Sequence, residues 1–395
     1  MLKRGALLPY GRQSIDDDDI AAVTAQLRGD WLTQGPAVAQ FEAALCEITG
    51  ARFAVAVANG TAALHLAALA AGLGPGDVAL VADVTFVATA NAVRYAGATP
   101  VLVDVDADTS LVNLDQLERL ANAHAPKAIF PVSLTGSVAD LAAVQRIARA
   151  SGAMVIEDAA HSLGATYSGA HRSASCAHSD MAILSFHPVK HLTTGEGGAI
   201  TTNDAALYQK LCDLRTHGIT KDPARLGQSE GPWYYEQQSL GFNYRITDIQ
   251  CALGVSQARR FPGFLARRRA IASRYDAAFR GEAIGVRPLR VPGGCSSAYH
   301  LYVVSVVARD GESQSALAAR RKALFLALRD RDIGPQVHYL PVHRQPDYVR
   351  NGLSAGEFSG ADAYYAGCIS LPMFPAMTDD DVDYVVAAVR EALQE

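Results

Sequence analysis

A chain of 395 residues, 49% hydrophobic and 19% charged, carries enough apolar surface to offset the entropy of ordering it, which excludes a disordered protein and predicts a large domain plus a smaller one. Its 35 basic and 40 acidic residues are intermingled, and a formal charge of −5 leaves no broad cationic face for nucleic acid. No apolar run approaches the roughly 18 residues of a membrane span. The six cysteines lie too far apart for a zinc ribbon, a redox dithiol or a small disulfide scaffold. Together with an N-terminus too poor in apolar residues for a secretory leader, this predicts a cytoplasmic protein with no metal site and no membrane or nucleic-acid partner.

In chain order, the acidic run Asp16–Asp19 precedes IAAVTAQL, where negative charge favours a helix start. From Phe53 onward, β-branched runs alternate with alanine-rich helical stretches: FAVAV, TAALHLAALAAG, DVALVA, FVATANAVRYAG and TPVLVDV. The rhythm continues through KAIFPVS, a helix at Ala139–Ala150, AMVIED, MAILSF and GGAITT. Seven strands joined by helical crossovers predict a mainly parallel sheet in an α/β domain over residues 1–260. After Thr247 long helices follow, with ARRFPGFLARRR reading as an exposed connector. The connector and a smaller α+β domain complete residues 261–395, the domain beginning near Arg287 with YHLYVVSVV as its first strand, then a helix at SALAARRKALFLALRD, a further strand, a polar loop and a last helix at Asp379–Gln394.

Chemistry concentrates at the carboxyl ends of these strands, where ligands sit in open α/β sheets. Lys190 follows the strand ending at Ser185 and precedes a Gly-rich turn in SFHPVKHLTTGEGGAI. There it is either a surface turn residue or an amine held in a cleft, where desolvation makes it nucleophilic toward carbonyls. Asp158 lies just beyond the strand Ala153–Ile156; it can pair with a buried cation such as a protonated pyridine, or cap a helix. His161 can stack on or bond to such a ring, or be a core histidine. Asn59-Gly60-Thr61 opens directly into a helix whose free N–H groups suit a single phosphate, although many helices begin this way. Neither the P-loop pattern nor GxGxxG spacing is present. Phe86, in VTFVATAN, can stack on a ring or fill the core, and the Ser185 hydroxyl can join the phosphate site.

Taken together, NGTAALHLA, TFVATAN, EDAAHSLGA and SFHPVKHLTTGEGGAI resemble the sugar aminotransferases of the DegT/DnrJ/EryC1/StrS family over nearly the whole chain. Within it, PYGRQSIDDDDI, DWLTQGP, PWYYEQQSLGFNYRITDIQCALG and VHYLPVHRQPDY resemble the UDP-4-amino-4,6-dideoxy-N-acetyl-β-L-altrosamine transaminases of pseudaminic acid biosynthesis. The resemblance implies the fold type I of pyridoxal 5′-phosphate enzymes and a homodimer. It implies that Lys190 forms the Schiff base with the cofactor, that Asp158 partners its pyridine nitrogen, and that Phe86 stacks on its ring. Gly60, Thr61 and Ser185 match phosphate contacts, and Asn243 of GFNYR matches an asparagine lent by the second subunit. His161 stands where the family often has glutamine. The implied substrates are L-glutamate and a UDP-linked 4-keto-6-deoxy-N-acetylhexosamine, with dTDP- or GDP-linked keto sugars as alternatives.

Tyr10, Arg12, His338 and Tyr339 are candidate sugar contacts in a cleft between domains, or exposed loop residues. Three rival readings stand. A sugar 3-dehydratase has histidine in place of the lysine, a non-catalytic regulator retains only the fold, and an amino-acid aminotransferase would clamp a carboxylate with Arg287, Arg290 or Arg344.

Overall fold

The computed structural model describes residues 5–280 and 284–394. The seven expected strands form one sheet: β1 (Phe53–Val57), β2 (Val78–Ala82), β3 (Thr99–Val103), β4 (Ala128–Phe130), β5 (Met154–Asp158), β6 (Met181–Ser185) and β7 (Gly198–Thr202). Their spatial order is β1-β7-β6-β5-β4-β2-β3. Only β7 runs against its neighbours, antiparallel to both β1 and β6. The reason lies in chain length. Residues 186–197 join β6 to β7 without a helix, and so short a link reverses direction instead of crossing over. That reversal leaves Lys190 in a tight loop at the sheet's edge of chemistry.

Helices α2 (Pro36–Thr49), α3 (Gly60–Ala70), α4 (Ala88–Tyr95), α5 (Leu114–His124), α6 (Leu141–Ser151) and α7 (Ala205–Arg215) flank the sheet and bury its apolar strands on both faces, while α1 (Asp17–Arg28) packs outside them. The acidic run is structural. Asp16 and Asp19 form a reciprocal capping box on α1, and buried Asp19 also accepts from Arg260 Nη1 and Gln257 Nε2, each at 2.6 Å.

Arg260 and Gln257 belong to α8 (Asp248–Ala278), a single 31-residue helix. Here the expectation of an exposed basic connector is corrected: within ARRFPGFLARRR, Phe261, Phe264 and Arg268 are buried. They recur three or four residues apart with Ile271 and Tyr275, the spacing of an apolar helical stripe. A division after residue 260 falls inside this helix. Cys251 and Phe261 pack with the large sheet, whereas Ile271, Ala272 and Tyr275 pack in the small-domain core.

The smaller layer has a three-stranded antiparallel sheet, β8 (Val286–Pro288), β9 (Tyr302–Val306) and β10 (Cys368–Leu371), with β9 central. It is covered by α9 (Gln314–Arg329), α11 (Ser359–Gly367) and α12 (Asp379–Gln394), while α10 (Pro346–Arg350) packs Tyr348 in the core of the large sheet. The N-terminal segment joins this layer rather than the larger one: Leu8–Pro9 pairs in parallel with Ile333–Gly334, and Leu8 lies in the small-domain core. Tyr10 is thereby carried to the junction of the two layers. No helix among the described residues is long and apolar enough to cross a membrane.

Candidate active site

A cavity of about 1030 Å³ opens at the carboxyl ends of the parallel strands. Gly60, Thr61, Phe86, Asp158, His161, Ser185, Lys190, Tyr10, His338 and Tyr339 all line it. Two candidates do not. Arg12 is exposed and outside the cavity, because Gly11 packs over Val189 and Tyr10 is the residue of that segment that reaches the opening. Asn243 is exposed as well, its backbone bridged to Thr216.

One wall is an anion cradle. Asn59 caps α3 by accepting from Ala62 N at 2.8 Å, which leaves the N–H groups of the first turn facing the cavity. Gly60 is required there: a Cβ on it would sit 3.0 Å from Ser185 Cβ, so the strand-end hydroxyl and the helix start share one small space.

The opposite part of the floor is acidic. Asp158, the last residue of β5, accepts from Thr89 Oγ1 at 2.7 Å and from Ala160 N at 3.1 Å. No helix follows it, so the capping alternative falls away. Burial pushes its carboxyl up, while Thr89, the Ala160 amide and the nearby Lys190 pull it down. Lys190 is half-buried in the loop between β6 and β7, its backbone N–H held by His187 O at 2.9 Å. Burial pushes its amine down to about 8; Asp158 opposes that shift and Arg268 adds to it.

The small-domain side supplies an aromatic lid. Tyr339 lies 5.8 Å from Phe86 between ring centroids, and its hydroxyl is 3.5 Å from His161 Nε2. Phe86 is 55% exposed, which rules out the core alternative. His161 is buried and held neutral by burial, and among the described residues its Nδ1 has no partner. His338 is fixed by Ser370 Oγ at 2.8 Å and packs on Tyr10 at 5.0 Å.

The sequence pattern of the DegT/DnrJ/EryC1/StrS aminotransferase family matches residues 13–390. This chain belongs to that family. The aminotransferase is 38% identical to the spore coat polysaccharide biosynthesis protein SpsC of Bacillus subtilis, over 99% of this chain and 98% of that protein. Its structure is similar to that of a putative sugar aminotransferase, Spr1654 of Streptococcus pneumoniae, in its PLP form, with TM-score 0.88, 30% identity, and 98% and 99% of the two chains covered. It is equally similar in fold to Helicobacter pylori PseC, an aminotransferase of pseudoaminic acid biosynthesis, with TM-score 0.88, 28% identity, and 98% and 99% covered.

The cofactor of the aminotransferase is pyridoxal 5′-phosphate, in the fold type I architecture that the family resemblance implies. The donor set fits it. A helix start and Ser185 offer a phosphate cradle that a side chain on Gly60 would fill, Asp158 offers a carboxylate for a ring nitrogen, and the depressed Lys190 amine offers the nucleophile. Several residues escaped the sequence reading. Thr89, in the first turn of α4, holds Asp158; Gln336, His65 and His300 line the cavity, His300 lying 4.2 Å from His161 between centroids. Thr89 opens α4 just after the Phe86 loop, so a hydroxyl at that helix start is the signal in the sequence.

Proposed function

We propose that the enzyme is a cytoplasmic nucleotide-sugar aminotransferase. It takes the amino group of L-glutamate and delivers it to the C4 keto group of a UDP-linked 4-keto-6-deoxy-N-acetylhexosamine, in the building of pseudaminic acid or a related surface glycan. The observation that carries this reading is the cavity itself. At about 1030 Å³ it reaches the upper end of ligand-site sizes, leaving room for a nucleotide-linked sugar beside a cofactor. The names of SpsC and PseC and the subgroup motifs support the glycan context.

When bound, pyridoxal phosphate supplies an electron sink for the carbon that loses or gains the amino group. The protein's own residues do the rest. Gly60, Thr61 and Ser185 bind the phosphate, Phe86 packs on the ring, and His161, in the cavity wall, stacks on the ring or bonds its phenolic oxygen. Asp158, held by Thr89, keeps a proton at the ring nitrogen. Lys190 anchors the cofactor and, once its amine is free and neutral, moves a proton at the reacting carbon in both directions. Tyr10, His338 and Tyr339 orient the sugar, and Arg12, exposed outside the cavity, is left without that role.

The working unit in this proposal is a homodimer in which Asn243 of the partner subunit completes the phosphate site. Exposed Trp233, Tyr235 and Leu240 near it, at 70%, 55% and 80%, form the kind of apolar patch that a partner covers. The amino-acid aminotransferase reading loses its support, since Arg287, Arg290 and Arg344 pair with Asp108, Asp106 and Asp362 and none lines the cavity. The deciding assay mixes the protein with L-glutamate and UDP-, GDP- and dTDP-linked 4-keto sugars and follows 2-oxoglutarate. The UDP-linked N-acetylhexosamine is expected to turn over fastest; preference for a dTDP or GDP sugar, or for small keto acids alone, overturns the assignment.

A further inference from the structure

Arg268 is the bulkiest fully buried side chain among the described residues, and among those residues it has no carboxylate partner. Its Nη1 donates to the carbonyls of Tyr299, His300 and Met373 at 3.2, 3.1 and 3.0 Å. Its Nε and Nη2 are left without partners. A buried guanidinium with no counter-ion and two orphaned donors opposes folding, so its place calls for a reason beyond packing. Burial pushes it down to about 10, which still leaves it charged at neutral pH.

What it faces supplies the reason. The loop between β6 and β7 brings Lys190 and His191 to it, and the segment before β9 brings Tyr299 and His300. Arg269 is its neighbour on α8. Around the Lys190 amine stand Asp158, His161, His300 and His338. The His300 ring lies 4.2 Å from His161 and 5.6 Å from His191 between centroids. All of these imidazoles are driven toward the neutral form by burial. Arg268, with Arg269 beside it on α8, is therefore a fixed cation next to these neutral imidazoles at neutral pH.

We infer that Arg268 is a positioning residue for Lys190: it clamps the His300 segment behind the cavity through two carbonyls, and its charge disfavours a second buried cation at the lysine nitrogen. The amine's depressed value of about 8 accords with this, burial being the larger cause, Arg268 adding to it and Asp158 opposing it. Like charges in a low-dielectric interior repel strongly, and a neutral amine is the form that takes a proton.

The inference rests on the reading of Lys190 as the cofactor-holding lysine, and its test separates the two. The visible absorbance of the pyridoxal phosphate-loaded protein is titrated with pH in wild type, Arg268→Lys, Arg268→Gln and Arg268→Met, with thermal melts beside it. Arg268→Gln keeps donors for the carbonyls and loses the charge, whereas Arg268→Lys keeps the charge. The expected result is an upward shift of the spectral midpoint by about one pH unit in Arg268→Gln or in Arg268→Met, with Arg268→Lys near wild type, whatever the melts do. Neutral variants that keep the wild-type midpoint, or a Lys variant shifted as far as the neutral ones, overturn it. Wild type that takes on no visible band overturns the cofactor reading instead.

Discussion

Thr89 donates its hydroxyl to Asp158 Oδ2 over 2.7 Å, linking the first turn of α4 to the end of β5. Thr85 Oγ1 lies 2.8 Å from the same hydroxyl, so the carboxylate is held by a short polar chain inside a buried site. A hydrogen bond to a charged group contributes about 1.5–3 kcal/mol. Thr89→Val keeps the shape and removes the donor. Its Kd for pyridoxal phosphate, read from the visible absorbance, is expected to rise by about tenfold, and Thr89→Ser is expected to restore binding.

Lys190→Ala and Lys190→Arg are both expected to abolish the visible band of the cofactor-loaded protein and the formation of 2-oxoglutarate from glutamate. Arginine retains the charge and lacks a nucleophilic amine, so charge alone cannot rescue function. Turnover in either variant would sink the role given to this residue.

The depressed amine has a consequence for stability. A lysine at about 8 in the folded protein, against about 10.4 unfolded, binds fewer protons when folded across that interval. Stability of the cofactor-free protein therefore rises with pH from about 8 toward 10.4 as far as this group is concerned. Lys190→Met removes the contribution. The variant should melt above wild type near neutral pH, and the gap should shrink as pH climbs through that window; a gap independent of pH would contradict the depressed amine.

Two glycines of α8 respond in opposite directions. A Cβ at Gly254 would lie 2.6 Å from the ring of Phe41, which is fully buried between α2 and α8. Gly254→Ala is expected to cost about 1–3 kcal/mol. Gly263 meets nothing within 4 Å, so Gly263→Ala gains only helix propensity, about 1 kcal/mol of stabilisation. Chemical denaturation of both variants measures the contrast.

Much of the site is legible in the sequence because a parallel sheet gathers its strand ends in one place. Asp158 and Ser185 close strands, Phe86 and Lys190 follow strands, and Gly60 opens a helix after one, so a one-dimensional rhythm maps onto a shared rim. Other parts need three dimensions. The reversal of β7 follows from the short link after Ser185, whereas alternation alone reads as another parallel crossover. Arg268 is hidden by its neighbours, since five arginines in ARRFPGFLARRR suggest a solvated face. The three- and four-residue intervals from Phe261 through Phe264 to Arg268 and Ile271 are the signal that singles it out. Arg12 illustrates the opposite error: nearness in sequence to Tyr10 does not carry it into the cavity.

The 31-residue helix that serves both cores has a mechanical meaning. Its N-terminal half is packed against the large sheet and its C-terminal half against the small one, and Pro262, which cannot donate to the carbonyl one turn back, stands between them, so the rod that joins the two cores has its weak point near their junction. Rotation of one against the other would have to bend that rod or strip apolar faces from it. The cost of changing the opening between Phe86 and Tyr339 therefore falls on the residues around Pro262.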